Sequence, residues 1–301
     1  MSDGERNGRL FGCGTALVTP FARDGEVDER ALRALVDWQI AEEIHFLVPC
    51  GSTGEAATMT PAEHRRVVEI VVEQAAGRVP VVAGAGSNDT RRAVAMSREM
   101  QAAGATHLLH VSPMYNKPPQ RGIVAHFRAV AEATDLPVIV YNVPGRTGSN
   151  IEARTALELA ALPNVVGIKE ASGNLAQIMD VIRDRPPHFS VLSGDDALTL
   201  AVMAAGGDGV ISVTSNATPR LMARLVERAA CGDSTAAREL HYRLTPWMQA
   251  AFVESNPIPV KAALSMMGRI ENVLRLPLVP LADGHAGAVR GSLAAAGALA
   301  A

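Results

Sequence analysis

Residues 165–183, VVGIKEASGNLAQIMDVIR, run from a short apolar strand through a polar turn into a helix. Val165-Val166-Gly167-Ile168-Lys169 reads as the strand, and 175–183 reads as the helix. The same unit recurs in both directions along the chain. Toward the N terminus, strands over 10–18, 45–50, 80–84, 107–111 and 137–142 precede helices over 28–43, 60–76, 89–103, 121–133 and 152–161. In 28–43, Leu32, Leu35, Val36 and Ile40 recur at helical spacing. Thr60-Pro61-Ala62-Glu63 opens its helix with a Thr cap, a Pro at the first position and a Glu that completes a capping box. Toward the C terminus, strands over 189–193 and 209–213 precede helices over 196–204 and 219–230.

Strand–helix alternation implies parallel strands joined by right-handed helical crossovers. Eight such units in about 220 residues fit an α/β fold of the (β/α)8 TIM-barrel type. A doubly wound sheet is the alternative, but it carries a glycine-rich phosphate turn after its first strand. Here that turn is Thr19-Pro20-Phe21, and Gly84-Ala85-Gly86 offers only part of a dinucleotide motif. Beyond residue 231 the alternation stops. Residues 233–253, 257–267 and 284–299 read as helices with no strands between them. The expected division is a catalytic barrel over 1–231 and a C-terminal helical extension over 232–301, ending in a frayed Ala-rich helix.

Composition narrows the function. The chain has 301 residues, 48% of them hydrophobic and 20% charged, with a formal net charge of -3. That suits one large core or two modest ones and gives no basic field for nucleic acid or an anionic membrane. No apolar run approaches the ~20 residues of a membrane helix. The opening MSDGERNGR is polar and leads into no signal-peptide core, so a cytoplasmic protein is expected. Cys13, Cys50 and Cys231 are few, odd in number and far apart, which excludes a disulfide framework or a C-x-x-C metal pair. Of 28 basic residues only Lys117, Lys169 and Lys261 are lysines.

Barrel active sites lie where strands end and βα loops begin. Five such junctions are polar. Gly51-Ser52-Thr53-Gly54-Glu55 combines glycines with two hydroxyls, a nest for a carboxylate or phosphate, although glycine and serine also favour plain turns. Ser112–Pro118 carries Tyr115 and Lys117 in a proline-stiffened loop. Tyr141–Gly148 follows the fifth strand; Tyr141 could place its hydroxyl in the pocket, and Arg146 suits bidentate carboxylate binding. In the sixth strand the alternation of sides puts Val165, Gly167 and Lys169 on one face. If that face is inward, Lys169 ends in the barrel mouth. A desolvated lysine has a lowered pKa, and its neutral amine attacks carbonyls to form a Schiff base. The competing reading is an ion pair with Glu170 or another carboxylate. Lys117 in its loop and Lys261 in the extension are weaker candidates. Ser193-Gly194-Asp195-Asp196 looks like a helix start with an acidic first turn; two adjacent Asp make a poor metal cage.

Taken in order, GSTGEAAT (51–58), SPMYNKP (112–118), YNVPGRTG (141–148), GIKEASG (167–173), LSGDDA (192–197), GVISVTSN (209–216) and NPIPVK (256–261) resemble the dihydrodipicolinate synthase and N-acetylneuraminate lyase family. The resemblance runs from about Leu10 to about Leu281 and implies a pyruvate-dependent class I lyase needing neither cofactor nor metal. It implies that Lys169 forms the Schiff base and that Tyr141 is the general acid/base. Ser52 would join a proton relay with Tyr141 and with Tyr115, the latter from a neighbouring subunit. Ser52 and Thr53 would hold the pyruvate carboxylate, Arg146 the carboxylate of the second substrate, and Gly194 and Ile211 would offer backbone carbonyls near the lysine. Arg146 resembles the synthase branch, which joins pyruvate to aspartate 4-semialdehyde in lysine and diaminopimelate biosynthesis, rather than the branch that cleaves N-acetylneuraminate or 2-keto-3-deoxy sugar acids. A non-catalytic binding homologue is a third reading, and it conflicts with retention of Lys169, Tyr141, Tyr115 and Ser52. The chain departs from the synthase pattern by Ser52 in place of a Thr and by Met114 in place of the first Tyr of a pair. The resemblance also implies a homotetramer built from two dimers. Of the positions resembling the family's lysine-inhibition site (Ala56, Ala57, Pro61, His64, Asn88, Arg92 and Met114), only Ala57, His64 and Asn88 keep the usual residue. Arg92 stands where a Glu would pair the inhibitor's amine, so weak or absent inhibition is expected.

Overall fold

Eight parallel strands form the centre of the computed structural model: β1 (Gly12–Ala16), β2 (Phe46–Val48), β3 (Val82–Gly84), β4 (His107–Val111), β5 (Val138–Asn142), β6 (Val165–Glu170), β7 (Ser190–Ser193) and β8 (Gly209–Ser212). They are hydrogen-bonded in the order β2-β1-β8-β7-β6-β5-β4-β3. A parallel bridge between Leu47 and Val81 joins β2 to β3 and completes the ring. This is the (β/α)8 barrel expected from the alternation. The structure describes residues 9–299; the remainder of the polar N-terminal stretch and the last two residues of the Ala-rich end lie outside it.

The helices outside the ring are α1 (Glu29–Ala41), α2 (Pro61–Ala75), α3 (Thr90–Ala102), α4 (Gln120–Ala131), α5 (Pro144–Thr147), α6 (Ala153–Leu159), α7 (Leu175–Asp184), α8 (Thr199–Ala204) and α9 (Pro219–Ala230). The capping box of α2 forms as the sequence predicts: Thr60 Oγ1 accepts from the Glu63 N–H, and the Glu63 carboxylate accepts from the Thr60 N–H. The single helix expected over 196–204 is instead a 3-10 turn (Asp196–Leu198) that runs into the short α8. The one-turn α5 has no counterpart in the sequence reading.

Side chains sort into two packed shells. Phe46, Val48, Leu109, Ile139, Leu192 and Ile211 fill the barrel interior. Gly14 makes room for that filling, since a Cβ there would overlap the Phe46 ring. Between barrel and helices, outward strand residues such as Val138, Val140, Val165 and Ile168 pack against Ile123, Phe127 and Ile178. The expectation that Val165 shares the face of Gly167 and Lys169 fails. Val138 pairs with Val165 but the next residue, Ile139, pairs with Gly167, so the register slips by one. Val165 therefore faces the helices while Val166 joins the interior cluster. The slip leaves Gly167 inward beside Ile139 and Lys169 opposite Tyr141.

Three further helices follow: α10 (Ser234–Ala250), α11 (Ile258–Met266) and α12 (Asp283–Ala296). They are bonded to the barrel. The fully buried Trp247 donates its indole N–H to the Thr214 carbonyl after β8 (3.1 Å). α12 stops at Gly297, whose φ of +80° ends the helix as a left-handed cap.

Candidate active site

At the C-terminal ends of the strands, Lys169 and Tyr141 are direct cross-strand partners on β6 and β5. Both point inward, and the Lys169 amine sits 4.3 Å from the centre of the Tyr141 ring. Lys169 is buried, and removal from water favours its neutral form. Burial lowers its pKa to about 8; Asp196 acts against that shift, and the Arg146 guanidinium adds to it. Burial pushes the Tyr141 phenol up to about 12, with Arg146 opposing. Tyr141 therefore holds its proton at neutral pH.

The ion pair that rivalled the Schiff-base reading is not made with Glu170. That carboxylate is turned toward Asn142, whose amide donates to both of its oxygens (3.2 and 3.1 Å), and accepts further bonds from the Ser172 N–H and Gln177 Nε2. Alternation explains the division, since Asn142 and Glu170 pair one step beyond Tyr141 and Lys169. One pair of strand ends points into the barrel, and the next ties the strands together.

Gly194 lies against the Lys169 side chain itself. A Cβ there would stand 3.1 Å from both Cε and Cγ of Lys169 and 2.7 Å from the Ala171 Cβ. Glycine is needed at this place for side-chain clearance. Of the two acids after it, Asp195 is a helix cap, accepting from the Ala197 N–H (2.9 Å). Asp196 is the acid of the first turn that the sequence suggested, but its carboxylate turns into the core. It is buried, its Oδ2 accepts from the N–H groups of Val213 and Thr214 (3.0 and 3.1 Å), and its Oδ1 has no partner among the described residues. It thus fastens the end of β7 to the end of β8, just beyond Ile211, and is the carboxylate that acts on Lys169.

The turn after β2 is two short 3-10 helices, Ser52–Gly54 and Ala56–Thr58, hinged at Glu55. Thr53 is buried, and its hydroxyl accepts from Asn256 Nδ2 (2.9 Å). The Asn256 carbonyl in turn accepts from Arg146 Nη2 (3.3 Å). Asn256, two residues ahead of Ile258, thereby connects the two groups assigned to carboxylate binding. Ser52 is exposed at the mouth. Tyr115 is 88% exposed, in a loop where its own φ of +74° and that of Lys117, +45°, are left-handed. Its backbone is fixed by a bond to the Thr147 carbonyl, yet its ring stands away from Tyr141. The structure thus brings together Lys169, Tyr141 and Gly194, and links Thr53 to Arg146. Within one chain it does not join Ser52 or Tyr115 to Tyr141.

Sequence reasoning assigned no function to Asn256, Asp196 or the Glu55–Lys261 contact, in which Lys261 Nζ lies 2.6 Å from Glu55 Oε1. All four lie inside quoted motifs. For Asn256, Glu55 and Lys261 the roles depend on pairings across more than two hundred positions, 203 for Asn256 with Thr53 and 206 for Lys261 with Glu55, while Asp196 reaches 17 and 18 positions to Val213 and Thr214. Among the described residues no group of three or more His, Cys, Asp or Glu side chains converges on a point that could hold a metal ion.

Comparison with known proteins agrees with this geometry. A family model described as the dihydrodipicolinate synthetase family matches residues 9–296. The chain is 54% identical over 274 residues to the 4-hydroxy-tetrahydrodipicolinate synthase of Koribacter versatilis, covering 91% of each protein. Among solved structures, it resembles dihydrodipicolinate synthase from Aquifex aeolicus with a TM-score of 0.93 and 42% identity, covering 95% of this chain and 97% of that one. It resembles the chloride-inhibited enzyme from Acinetobacter baumannii, complexed with pyruvate, with a TM-score of 0.95 and 41% identity, covering 96% of this chain and all of the other.

Proposed function

This chain belongs to the dihydrodipicolinate synthetase family, and from that premise we propose that it condenses pyruvate with L-aspartate 4-semialdehyde, the 4-hydroxy-tetrahydrodipicolinate synthase reaction. The observation that carries the mechanism is Lys169, a buried amine with its pKa lowered to about 8 beside a protonated phenol. Its neutral form adds to the pyruvate ketone, water leaves, and a Schiff base forms. Tyr141 gives its proton to the departing hydroxyl, and its phenolate takes a methyl proton to form the enamine. The enamine carbon attacks the aldehyde of the second substrate. The new alkoxide needs a proton, and Tyr141 is the donor beside the lysine. After the alkoxide is protonated, that substrate's own amine displaces Lys169 from the imine carbon. Thr53 and Ser52 hold the pyruvate carboxylate, and Arg146 receives the carboxylate of the semialdehyde. Gly194 and Ile211 offer backbone carbonyls around the lysine. The reaction needs no cofactor or metal in this scheme.

The exposure of Tyr115 supports its service in a neighbouring subunit's relay with Ser52 and Tyr141. We extend this to a homotetramer of two dimers, working in the cytoplasm in lysine and diaminopimelate biosynthesis. Among the described residues no helix is long and apolar enough to cross a membrane. A fully active monomer in sedimentation velocity would overturn the shared site.

The reaction itself is tested by a coupled assay. Purified protein, pyruvate and aspartate 4-semialdehyde are mixed with dihydrodipicolinate reductase, and NADPH consumption is followed. A robust rate is expected. Absence of a rate, with a borohydride-trapped pyruvate adduct on Lys169, would redirect the assignment to a sugar-acid aldolase.

A further inference from the structure

The third lysine, Lys261 in α11, is fully buried and forms an ion pair with the equally buried Glu55 (2.6 Å). Glu55 Oε2 also accepts from the Arg275 N–H (3.1 Å), so both carboxylate oxygens are engaged. The Lys261 amine lies 4.2 Å from the centre of the Phe21 ring, with the Arg275 guanidinium 4.4 Å from the same ring. Arg275 also donates to the Gly25 and Thr58 carbonyls and pairs with Glu63. Glu55 is thus gripped by α11 and by the segment that follows it, although it belongs to the turn that carries Ser52 and Thr53.

The backbone shows why a grip is needed there. Glu55 has φ +56° and ψ 33°, a left-handed conformation that residues other than glycine avoid. It closes the first 3-10 turn and opens the second, so it sets the angle between them. Asn256 holds Thr53 from the same segment that supplies Lys261. Two contacts, two residues apart in the turn and five apart at the start of α11, fix the turn against rotation as well as translation.

Stability is a poor explanation for an ion pair in such a place. Removing two charges from water costs as much as their attraction returns, and a well-packed apolar pair is often equally stable. A charge-assisted bond does, however, impose direction and distance, which an apolar contact does not. We infer that the Glu55–Lys261 pair is a positioning device for the keto-acid: it holds the turn over 52–58 so that Ser52 and Thr53 meet the pyruvate carboxylate. The inference rests on the function proposed above, and makes Glu55 and Lys261 positioning residues that do not touch substrate.

The test compares the intact oligomeric protein with a Glu55→Leu/Lys261→Met double variant, which removes both charges and leaves neither unpaired. Two quantities are read: the pyruvate concentration that half-saturates borohydride trapping on Lys169, and the KM for aspartate 4-semialdehyde at saturating pyruvate. Half-saturation by pyruvate is expected to rise about tenfold or more, since small misplacements of a positioning group are costly. The KM for the semialdehyde should change less than about twofold, because the bond from Arg146 to the Asn256 backbone carbonyl is left in place by both substitutions. Glu55→Asp keeps the charge but shortens its reach, and should show the same selective shift at about threefold. It carries the test if the double variant does not fold. A folded variant with lowered Tm but parental pyruvate half-saturation would make the pair merely structural and overturn the inference, as would equal shifts for both substrates. Failure of the parent protein to trap pyruvate at all would instead refute the proposed function, and the inference with it.

Discussion

Lys169 and Lys261 are both buried, and each holds its amine at nearly the same height over an aromatic ring, 4.3 Å for Tyr141 and 4.2 Å for Phe21. In both, burial lowers the pKa. The difference is the carboxylate. Lys261 has Glu55 at 2.6 Å, which opposes the shift and holds the ammonium form. Lys169 has Asp196 acting on it, but Asp196 spends Oδ2 on two backbone N–H groups. Burial alone therefore does not make a nucleophile. In the proposed scheme the buried lysine without a carboxylate in hydrogen-bonding contact is the nucleophile, and the one with such a contact is the brace.

The contrast can be broken at Lys169 first. Lys169→Met should cut turnover by at least about a thousandfold, because no other amine is placed to form the Schiff base. It should also stabilise the fold, by about 1–3 kcal/mol in chemical denaturation near pH 7, since a lysine held at about 8 instead of 10.5 costs free energy when charged in solution. Lys261→Met is expected to do the opposite to stability, because it strands the Glu55 carboxylate in the core, at a cost of about 3–5 kcal/mol. Equal effects of the two substitutions on stability would remove the distinction.

The pH dependence sharpens the same point. The neutral fraction of Lys169 grows as pH rises toward about 8 and saturates above it. The initial rate of pyruvate trapping should rise nearly tenfold per unit between pH 6 and 7, as for any amine well below its pKa, and level off beyond about 8. The linkage sign follows from the depressed folded-state value. Between about 8 and 10.5 the unfolded chain binds the extra proton, so Lys169 makes the fold more stable as pH rises through that window. A trapping rate still climbing at pH 10 would show an ordinary lysine.

A smaller effect is expected at Gly194. The Cβ of Gly194→Ala would press on Lys169 Cε and Cγ and on Ala171, and should slow pyruvate trapping about tenfold with the fold preserved in circular dichroism. The smallest effect expected is that of free lysine, which should leave the rate unchanged at micromolar concentration in a titration of the purified enzyme. At the position resembling the family's inhibitor site, Arg92 would bring a like charge to the amine of lysine, and like charges repel at close range.

The barrel was legible because its signal is local and repeated. Each apolar run followed by a helical stretch carries its own evidence, and the eight units support one another. Lys169 and Tyr141 were legible for a related reason: both end strands, and strand ends in a barrel converge. The side on which Val165 lies was not, because a one-residue slip between β5 and β6 leaves no trace in an apolar run. The split of 196–204 into two short helices was hidden likewise, because Asp196, in the first turn, sends its carboxylate inward to the N–H groups of Val213 and Thr214 just after β8. The brace was out of reach for the plainest reason. Lys261 and Glu55 lie 206 residues apart, and neither declares its partner in its own neighbourhood.

The decisive measurement is peptide mapping after borohydride reduction of the protein saturated with pyruvate. A single adduct on the peptide that carries Lys169, with Lys261 and Lys117 unmodified, is the expected result. An adduct on Lys261, or none on Lys169, would contradict the assignment of one buried lysine to chemistry and the other to position.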